Sequence, residues 1–559
     1  MSVVLTRARQ LGPRRDDWTQ ADLRHDLTAG VMVALVALPL ALGFGVSSGV
    51  GAGAGIVTAV VAGAVAAVFG GSRVQVSGPT GAMTVVLIPI VAAHGPDGVL
   101  VVGLLAGLML LGLAVTGAGR AIRYVPLPVI EGFTAGIAVI IALQQLPAAL
   151  GVDVHAEKIL VLTEKAVRAW ASAPTWAAPA TAIGIAAVIV FMARIRTGFP
   201  TALLLVVAAT AANALVDDRG WGDPLATIGA IPSGLPTPSL PAVPWGDLDT
   251  LVLAAVAVAA LGALESLLSA TVSDAMSVGH RHDPDRELFG QGLANIASPL
   301  FGGIPATAAI ARTAVNVRSG ARSRLSALIH AVLLLAVVLV ATRWVGHIPL
   351  AALAGVLIAT AVQMVRVSSL APLLRATRGD AITLLLTAIA TVALDLVLAV
   401  VIGLALAGFF ALRQTATTAR LEEVPLDDSD HHDEEQRLLD EHIVAYRLDG
   451  PLFFAAAHDF LLELAEVKRV RVVVLRMSHL TTVDATGAHV LADTIGRLEQ
   501  RGVTVLLSGT RPEHVAVLAQ LGVHRQLAHE RHLFASTPAA IAHARLHAER
   551  VVHDPAAAT

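Results

Sequence analysis

The sequence predicts an all-α polytopic membrane domain followed by a small α/β domain. Of the 559 residues, 55% are hydrophobic and 14% are charged, whereas roughly 25% of the residues of a soluble domain are charged. Apolar runs of roughly 17–25 residues, the length that crosses a bilayer, recur as far as residue 413. Beyond an acidic stretch, short apolar runs alternate with helical patterns, which is typical of an α/β domain.

The membrane domain, residues 27–413, contains fourteen predicted segments. Eleven are long apolar runs, at 27–48, 51–70, 98–118, 127–147, 177–193, 199–216, 248–273, 326–345, 348–365, 381–394 and 396–413. Three are shorter or are interrupted by Gly and Pro, at 76–92, 288–301 and 305–317. We therefore expect a multi-pass protein of the cell membrane.

The distribution of Lys and Arg predicts the orientation of these segments, because cytoplasmic connections are usually enriched in both residues. If residues 1–26 are cytoplasmic, the connections on that side hold thirteen Lys and Arg and those on the other side hold five. Residues 1–26 also lack the apolar core of a secretory signal peptide. Both termini are predicted to be cytoplasmic.

Two of the interrupted segments begin with related motifs. The third segment contains GPTGAMTVV at residues 78–86, and the tenth begins with GGIPATAAIARTAV at residues 302–315. The two motifs lie seven segments apart, so a second seven-segment unit would start on the opposite side of the membrane. Gly/Pro-interrupted helices at corresponding positions of inverted repeats indicate a transporter binding site. The sequence thus predicts a 7+7 inverted repeat.

The two motifs predict a site for a small anion. Proline fits the first turn of a helix, so Pro79 and Pro305 are expected to begin helices inside the bilayer. Each helix start leaves about four N–H groups without intrahelical acceptors and about half a positive charge, which attract an anion. Thr80 and Thr307 would add hydroxyl donors. Small neighbours would leave room for the ligand, namely Gly78, Gly81, Ala82, Ala306, Ala308 and Ala309. The alternative is that both motifs serve helix packing or kinks.

Arg312 extends this hypothesis. It lies two turns into the tenth segment, where a cation costs about 2.5–3.5 kcal/mol on insertion scales. At this position it would raise the potential at the anion site. The alternative is a side chain that reaches the cytoplasmic surface.

Glu265 is the acid in the middle of the eighth segment, and Ser269 follows it on the same helix face. A buried carboxylate can take up a proton, or it can bind Na⁺ together with Ser269, so that a cation would travel with the anion. The alternative is a structural Glu that pairs with Arg312. Glu131 is a weaker candidate, because an acid near a helix start is favoured by the helix dipole.

The C-terminal part is predicted to comprise an acidic linker at 414–438, an α/β domain at 439–550 and a tail at 551–559. Strands are expected at 442–448, 471–476 and 503–508, and helices at 456–467, 484–500 and 511–521. Asp484 and Thr486 lie at a strand-to-helix turn, where an N-cap explains the Asp. The domain has neither a Gly-rich phosphate loop nor a nucleophile triad, so we expect neither an enzyme nor a cofactor.

The composition of the whole chain excludes further classes. A net charge of −3 argues against a nucleic-acid partner. The absence of cysteine excludes disulfides and thiolate metal sites. No metal site is predicted apart from Na⁺ at Glu265 and Ser269.

Several stretches resemble the sulfate permease (SulP) family of anion transporters. They are VALPLALGFG, GGSRVQVSGPTGAMTVV, ALESLLSATVSDAM and NIASPLFGGIPATAAIARTAVNVRSGARSRL. The C-terminal domain resembles the family's STAS domain, with DATG at 484–487 matching its Asp-Ser-Ser/Thr-Gly signature. The resemblance implies core and gate subdomains, a homodimer, elevator-like movement of the core and a substrate between segments three and ten. It implies these site residues: Leu40, Phe44, Thr80, Gly81, Ala82, Thr307, Ala311 and Arg312, with Glu265 as the coupling acid.

Departures from the family pattern refine the predicted function. Members linked to Na⁺ and bicarbonate tend to have Asp and Thr where this chain has Glu265 and Ser269, which favours coupling to H⁺. Leu40 stands where some animal members have Gln, so the pocket is expected to be more apolar. Ala485 replaces the first hydroxyl of the STAS signature, and phosphorylation would have to use Thr486.

The predicted function is secondary active transport of a small anion with H⁺, the anion being bicarbonate, a C4-dicarboxylate or sulfate. One alternative is an uncoupled anion channel or exchanger, and another is a Na⁺:bicarbonate symporter. A third is a sensor or scaffold in which the STAS domain signals. A cytosolic protein partner of the STAS domain is compatible with each of them.

Overall fold

The computed structural model describes residues 11–13, 22–120, 125–156, 158–195, 200–276, 281–394, 396–416, 420–423, 442–452, 470–529 and 532–552. The chain forms two compact units, Met1–Ala407 and Gly408–Thr559. The predicted acidic linker and the predicted helix at 456–467 lie almost wholly outside the described residues.

The first unit is helical, and each of the fourteen predicted segments contains a helix, which confirms the predicted fold class. Its helices are α1 (Leu23–Ser47), α2 (Ala52–Phe69), α3 (Gly81–Thr116), α4 (Leu127–Gln144), α5 (Ile159–Ser172), α6 (Ala177–Ile195), α7 (Thr201–Arg219), α8 (Leu248–Met276), α9 (Pro284–Leu300), α10 (Ile310–Arg318), α11 (Leu325–Val340), α12 (Leu350–Met364), α13 (Val367–Ala376), α14 (Arg378–Ala393) and α15 (Leu396–Ala416). Single helical turns lie at Leu146–Leu150, Trp245–Asp247 and Thr342–Val345.

Three details of the helices differ from the prediction. Segments three and four are the two halves of α3, which is broken at Gly95 by a φ of 66°. Helices α5 and α13 were not predicted, because both are short and amphipathic rather than continuously apolar. Such helices suit the edge of a bilayer rather than its interior.

The lengths of the helices separate full spans from half-spans. Nine helical stretches among the described residues are long and apolar enough to cross a bilayer, and they include ten of the predicted segments because α3 holds two. Helix α10 has nine residues and is therefore about 13 Å long, less than half of a hydrocarbon core of ~30 Å. The part of the tenth segment before Ile310 is extended chain.

The helices of the first unit pack in two groups. The first bundle consists of α1, α2, α3, α8, α9, α10 and α11, with α9 packed between α2 and α3, and α11 against α1 and α2. The second bundle contains α4, α6, α12 and α14, with α12 packed on α6 and α4, and α14 on α4. Helix α12 also contacts α1, so the two bundles meet along these helices.

Two short strands lie inside the first bundle. Strand β1 (Ser77–Gly78) precedes α3 and strand β2 (Thr307–Ala308) precedes α10; they pair antiparallel, with Ser77 opposite Ala308. The prediction that Pro305 begins a helix is wrong, because α10 begins at Ile310 and the chain from Pro305 is extended. Pro79 likewise lies before α3, whose N-cap is Thr80. Strand pairing satisfies backbone groups that a helix would otherwise satisfy, and this allows extended chain in a buried position.

The second unit is an α/β domain. Its strands are β3 (Arg420–Glu423), β4 (Ile443–Leu452), β5 (Val472–Arg476), β6 (Leu480–Val483), β7 (Thr504–Ser508) and β8 (Leu533–Phe534), in the sheet order β3-β4-β5-β7-β8, with β6 beside β4. Its labelled helices are α16 (Ala485–Gln500), α17 (Pro512–Gln520) and α18 (Thr537–Val552), and a single turn lies at Val523–Gln526. All strand pairs except β3–β4 are parallel.

The sheet of this unit is covered on both faces. Val473 and Leu475 of β5 belong to a core with α16, whereas Val472 and Val474 belong to a core with α18. Successive side chains of a strand point to opposite faces, so α16 and α18 lie on opposite sides. Helices α16 and α17 and strands β4, β5 and β7 match the predicted elements.

Candidate functional site

The paired strands are held by side chains from neighbouring helices. Asn295 of α9 accepts from the Ala306 N–H at 2.8 Å and donates to the Ala306 carbonyl at 2.9 Å. Thr58 of α2 accepts from the Ile304 N–H at 2.7 Å. Asn316 of α10 donates to the Val74 carbonyl at 2.7 Å. These bonds replace helix hydrogen bonds, as buried backbone groups require.

Two helix N-termini begin where the strand pair ends. Thr84 N–H is the first to bond along α3, to the Thr80 carbonyl, and Thr313 N–H is the first along α10, to the Ala309 carbonyl. The N–H groups of the three residues before each of these therefore have no intrahelical acceptor. Two contacts link the starts of these helices: the Thr80 and Thr307 hydroxyl oxygens lie 3.0 Å apart, and Arg312 of α10 donates to the Pro79 carbonyl at 3.0 Å. Helix α10 starts five residues after Pro305.

Glu265 of α8 joins the two motifs through hydroxyl groups. Thr80 Oγ1 donates to Glu265 Oε2 at 2.9 Å, and Thr307 Oγ1 donates to the same oxygen at 2.6 Å. The two hydroxyl oxygens lie 3.0 Å apart. Both Thr side chains are buried, and Glu265 is partly exposed. One carboxylate oxygen thus contacts a residue of each motif. The roles predicted for Thr80 and Thr307 in anion binding and for Glu265 in coupling stay predictions.

Ser269 lies one helical turn from Glu265 but serves another contact. Its hydroxyl donates to Thr313 Oγ1 at 3.2 Å, and that same oxygen accepts from the Val76 N–H at 3.2 Å. Ser269 thus links α8 to α10, and Thr313 in turn holds the residue before β1. The predicted Na⁺ site at Glu265 and Ser269 stays a prediction.

Arg312 is buried at the back of the two motifs, with 1% of its surface exposed. Its Nη2 donates to the Pro79 carbonyl at 3.0 Å, which rules out the alternative of a side chain that reaches the membrane surface. Its Nη1 has no hydrogen-bond partner among the described residues. A buried guanidinium with a donor to spare favours a negatively charged ligand.

Gly78 makes room for this guanidinium. Its φ is +152°, and a Cβ added there would lie 2.6 Å from Arg312 Nη1. Ala308 and Ala82 are buried beside the strands, as predicted, whereas Ala311 is exposed. No larger residue than glycine fits position 78 unless Arg312 moves.

Helix α1 covers the start of α3. A Cβ on Gly81 would overlap Ile141 of α4 and would lie 3.0 Å from Phe44 Cε1, so Phe44 borders the α3 N-terminus as the resemblance implies. Leu40 is buried one turn earlier in the same apolar cluster as Phe44. Its side chain lies among apolar neighbours that include Leu357.

The STAS-like motif has the predicted local structure. The Asp484 carboxylate accepts from the Gly487 N–H at 2.7 Å and caps α16. Thr486 is exposed in the first turn of that helix. The capping role explains the Asp at this position.

Sequence reasoning missed the residues that hold the strands, among them Thr58, Gln291, Ser266 and Thr313. Gln291 Nε2 donates to Ser77 Oγ at 2.7 Å, and Ser266 Oγ accepts from the Ala308 N–H at 3.2 Å. The sequence signal that could have identified them is a polar residue inside an apolar segment. Their partners, more than forty positions away in the chain, carry no sequence signal.

The chain is thus a multi-pass membrane protein whose two half-helices converge on a buried polar site. The model of the sulfate permease family matches residues 23–387 and that of the STAS domain matches residues 438–540. The chain belongs to the sulfate permease family, whose members are membrane anion transporters rather than enzymes.

Relatives along nearly the whole chain agree with this assignment. The chain is 35% identical over 525 residues to "Putative sulfate transporter YvdB" of Bacillus subtilis, covering 91% of this chain and 96% of that one. It is 31% identical over 520 residues to "Bicarbonate transporter BicA" of Synechocystis, covering 90% and 91% of the two chains.

Solved structures share the fold. The transmembrane domain of a cyanobacterial bicarbonate transporter BicA matches with a TM-score of 0.60 and 31% identity, covering 69% of this chain and 98% of that one. The murine Solute Carrier 26 family member A9 anion transporter in the inward-facing state matches with a TM-score of 0.81, covering 97% and 94%. At 17% identity, the second likeness concerns the fold alone.

Proposed function

We propose that the protein is a secondary active transporter that moves one small anion together with H⁺ through the site between α3 and α10. The observation that carries this proposal is the contact of a single Glu265 oxygen with Thr80 and Thr307, one from each half of the repeat. The carboxylate that takes up H⁺ and the helix starts that bind the anion then belong to one structural unit. Binding of H⁺ at Glu265 therefore affects binding of the anion, and the reverse.

The anion is bound by backbone and guanidinium donors. The N–H groups at the starts of α3 and α10, and the spare Nη1 of Arg312, suit a small oxyanion or carboxylate. The names of the relatives support sulfate or bicarbonate, and a C4-dicarboxylate carries the same kind of charged group. Phe44 borders the start of α3 and would give the anion an apolar neighbour.

The arrangement of one Glu265 carboxylate oxygen and the two Thr hydroxyl oxygens favours a protonated Glu265. If the carboxylate is ionised, two hydroxyl hydrogens serve three oxygen–oxygen contacts of 2.6, 2.9 and 3.0 Å. If Glu265 is protonated, three hydrogens serve three contacts, and each short distance becomes a hydrogen bond. Protonation therefore completes this hydrogen-bonded triangle and removes a negative charge that would repel the anion.

Transport by an elevator movement is supported by the location of the site residues. Phe44, Thr80, Glu265, Thr307 and Arg312 all belong to the first bundle. A site carried by one bundle can move as a rigid body against the other. In this scheme the first bundle is the core and the second bundle is the gate.

The remaining features of the proposal follow from the sequence and the family. We place the protein in the cell membrane with both termini cytoplasmic, because of the asymmetry of Lys and Arg. We further propose a homodimer, and a cytosolic protein partner for the STAS domain.

Uptake into proteoliposomes tests the proposal. Labelled bicarbonate, sulfate and succinate are offered in turn, without Na⁺. Uptake is measured with no pH gradient, with the vesicle interior one pH unit more alkaline than the outside, and with the interior one pH unit more acidic. A pH difference of one unit supplies about 1.4 kcal/mol per proton, which corresponds to about tenfold accumulation of a monovalent anion moved with one proton. We expect accumulation only when the interior is alkaline.

The variant Glu265→Gln isolates the coupling. The amide keeps the size and the acceptor oxygen but cannot take up a proton, so counterflow should persist whereas gradient-driven accumulation should disappear. Glu164→Gln, at an exposed acid of α5 paired with Arg168, is the matched control and should behave as the wild type. Anion uptake that the pH gradient does not drive, equal in the wild type and in Glu265→Gln, would instead support an uncoupled exchanger or channel. Accumulation that needs Na⁺ would support a Na⁺ symporter.

A further inference from the structure

Three histidines of the second unit converge at one place far from the anion site in the sequence. His532 directly precedes β8, and His543 and His547 lie one turn apart on α18. Their rings lie 5.6 Å (His532–His543), 5.2 Å (His532–His547) and 5.0 Å (His543–His547) apart, measured between centroids. One nitrogen from each lies within 4.8 Å of the other two. The transport proposal gives these residues no role.

His532 is the most constrained of the three. Only 3% of its surface is exposed, and its Nδ1 has no hydrogen-bond partner among the described residues. A buried imidazole nitrogen without a partner is costly. A ligand that accepts its lone pair would remove this cost.

His543 and His547 provide the helical half of such a site. Residues four apart lie on the same face of a helix, and two histidines at this spacing bind Zn²⁺ in many zinc proteins. Both are partly buried, so they are shielded yet reachable from solvent. The ring of Phe534 lies 5.2 Å from that of His543 and adds an apolar wall.

The distances leave room for a metal ion. Ligand nitrogens around a tetrahedral Zn²⁺ lie about 2.0–2.1 Å from the metal, and hence about 3.3 Å from one another. The 4.8 Å limit on the present separations means that side-chain rotations that move the nitrogens by about 1.5 Å close the site. Such rotations are accessible to the two partly exposed helical residues.

We propose that His532, His543 and His547 form a binding site for a divalent transition metal ion, with Zn²⁺ as the preferred ion. Three imidazoles with an open fourth position are a favourable donor set for Zn²⁺, and Cu²⁺ and Ni²⁺ compete for it. A water molecule or His529, whose ring lies 6.1 Å from that of His532, completes the coordination.

The bound ion would join α18 to the chain segment in front of β8. These elements are consecutive in the chain. A cross-link by the metal would stabilise their association. Because the ion binds the folded state only, the population of the state in which α18 is opened should fall by the factor 1 + [Zn²⁺]/Kd, which is about a hundredfold at a hundred times Kd.

Zinc titration of the full-length protein tests this proposal. The purification tag is removed, metal is stripped with a chelator, and Zn²⁺ is titrated in competition with a chromophoric chelator. We expect one tight site per chain, and Co²⁺ should give the intense visible absorption of a four-coordinate complex. Hydrogen exchange of α18 amides should slow when Zn²⁺ is added.

The chain has 20 histidines in all, and the variants separate the three of this site from the others. His543→Ala and His547→Gln should each weaken Zn²⁺ binding by at least about a hundredfold, because loss of a ligand costs more than loss of an outer-shell partner, which costs about 10–100-fold. His489→Ala, at an exposed position of α16, should leave the affinity unchanged. A monodisperse protein with normal anion uptake shows that each variant is folded.

Two results would overturn the proposal. One is the absence of a Zn²⁺ site tighter than the background in the wild-type chain. The other is equal Zn²⁺ affinity in the wild type and in His543→Ala, which would mean adventitious binding elsewhere. Neither result bears on the transport proposal, because the metal site and the anion site share no residue.

Discussion

At the scale of single residues, Gly78 and Arg312 constrain each other directly. The φ of +152° at Gly78 is rare for a residue with a side chain, and an added Cβ would lie 2.6 Å from Arg312 Nη1. The guanidinium is buried and bonded to the Pro79 carbonyl. Glycine at position 78 thus determines where the positive charge lies.

We expect Gly78→Ala to reduce anion uptake by at least about tenfold, equivalent to ~1.4 kcal/mol of binding or transition-state free energy. The displaced guanidinium would no longer present Nη1 to the anion. Uptake and binding of the best anion from the proteoliposome screen provide the measurement. Gly112→Ala is the control, because a Cβ at this position of α3 meets nothing within 4 Å.

The two substitutions also differ in their expected effect on stability. Gly112→Ala should be neutral or slightly stabilising, since Ala favours a helix over Gly by roughly 1 kcal/mol. Wild-type uptake in Gly78→Ala would mean that the position of Arg312 does not matter for the anion.

At the scale of elements, the strand pair depends on amide clamps from the helices around it. Asn295 bonds both the N–H and the carbonyl of Ala306. Asn213 makes the same double contact with Leu225, at 2.7 Å and 3.2 Å, in a part of α7 that does not border the anion site. The chain therefore contains a matched pair of clamps.

Asn295→Ala should lower both stability and transport. Loss of the clamp leaves a buried N–H and a buried carbonyl unpaired, at a cost of roughly 1–3 kcal/mol each. Asn213→Ala removes bonds of the same kind, and we expect a smaller loss of thermal stability with normal uptake. The midpoint of thermal unfolding in detergent, measured together with uptake, separates the two effects.

Equal loss of uptake in both Asn variants would contradict a specific role for the strand pair. The loss of uptake would then be explained by a general decrease in the stability of the protein. Normal uptake in Asn295→Ala would mean that Ala306 keeps its position through strand pairing alone.

In the second unit, Glu499 at the end of α16 predicts a pH dependence of stability. Burial raises the pKa of this carboxyl above its ordinary value of 4.5, against hydrogen bonds from the Val505 and Ala528 backbone. A raised pKa in the folded state means that the protonated form is favoured by folding. The stabilisation is full below pH 4.5 and is lost as the pH rises through the higher pKa of the folded state.

Glu499→Gln should therefore stabilise this unit at neutral pH and reduce the dependence of its stability on pH. The amide oxygen can still accept from the Val505 N–H, a bond of 2.9 Å in the wild type. Hydrogen exchange of β7 amides in the intact protein, corrected for intrinsic rates, provides the measurement. Faster exchange in the variant at neutral pH would show that the carboxylate charge is favourable here.

The sequence predicted the elements better than their contacts. Apolar length located eleven of the fourteen segments, and the other three were recognised as shorter apolar runs or runs interrupted by Gly and Pro. Pro79 and Pro305 nevertheless were assigned the same local structure, whereas the chain after Pro305 stays extended for several residues. A proline fixes its own φ but does not determine whether the following residues become a helix or a strand. That choice depends on Asn295, Thr58 and β1, which are brought there only by the packing of the helices.

The hydrogen-bond partners of Glu265 likewise could not be predicted from the sequence. An acid in an apolar helix indicates an inward-facing site, and this can be read from the sequence. Which hydroxyl groups it meets depends on the rotation of α8 against the strands. Ser269 was the nearest hydroxyl along the chain on the same helix face, yet Thr80 and Thr307 are the ones that bond Glu265.

At the scale of the whole molecule, the elevator proposal requires the two bundles to move against each other. Gly43 of α1 faces Leu357 of α12, and a Cβ at Gly43 would lie 2.9 Å from Leu357 Cδ1. This contact joins the first bundle to the second. Gly63 and Ala331 lie within the first bundle, and a Cβ at Gly63 would lie 3.9 Å from the Ala331 Cβ.

A pair of engineered disulfides distinguishes movement between the bundles from movement within one. The chain has no cysteine, so Gly43→Cys with Leu357→Cys, and Gly63→Cys with Ala331→Cys, each introduce a single cysteine pair. A Cβ–Cβ separation near ~3.8 Å suits a disulfide, and the pair at 63 and 331, at 3.9 Å, meets this criterion. For the pair at 43 and 357, the extent of cross-linking after oxidation is measured first. Oxidation of the first pair should reduce uptake by at least about tenfold, since a lock between the bundles prevents the site from changing sides.

The second pair supplies the control for this experiment. Its disulfide joins α2 to α11 inside the first bundle, and uptake should persist after oxidation if this bundle moves as a rigid body. Reductant should restore uptake in the first pair. Full uptake with a complete cross-link between positions 43 and 357 would exclude sliding of α1 along α12, and transport would then have to proceed by rearrangement within the first bundle.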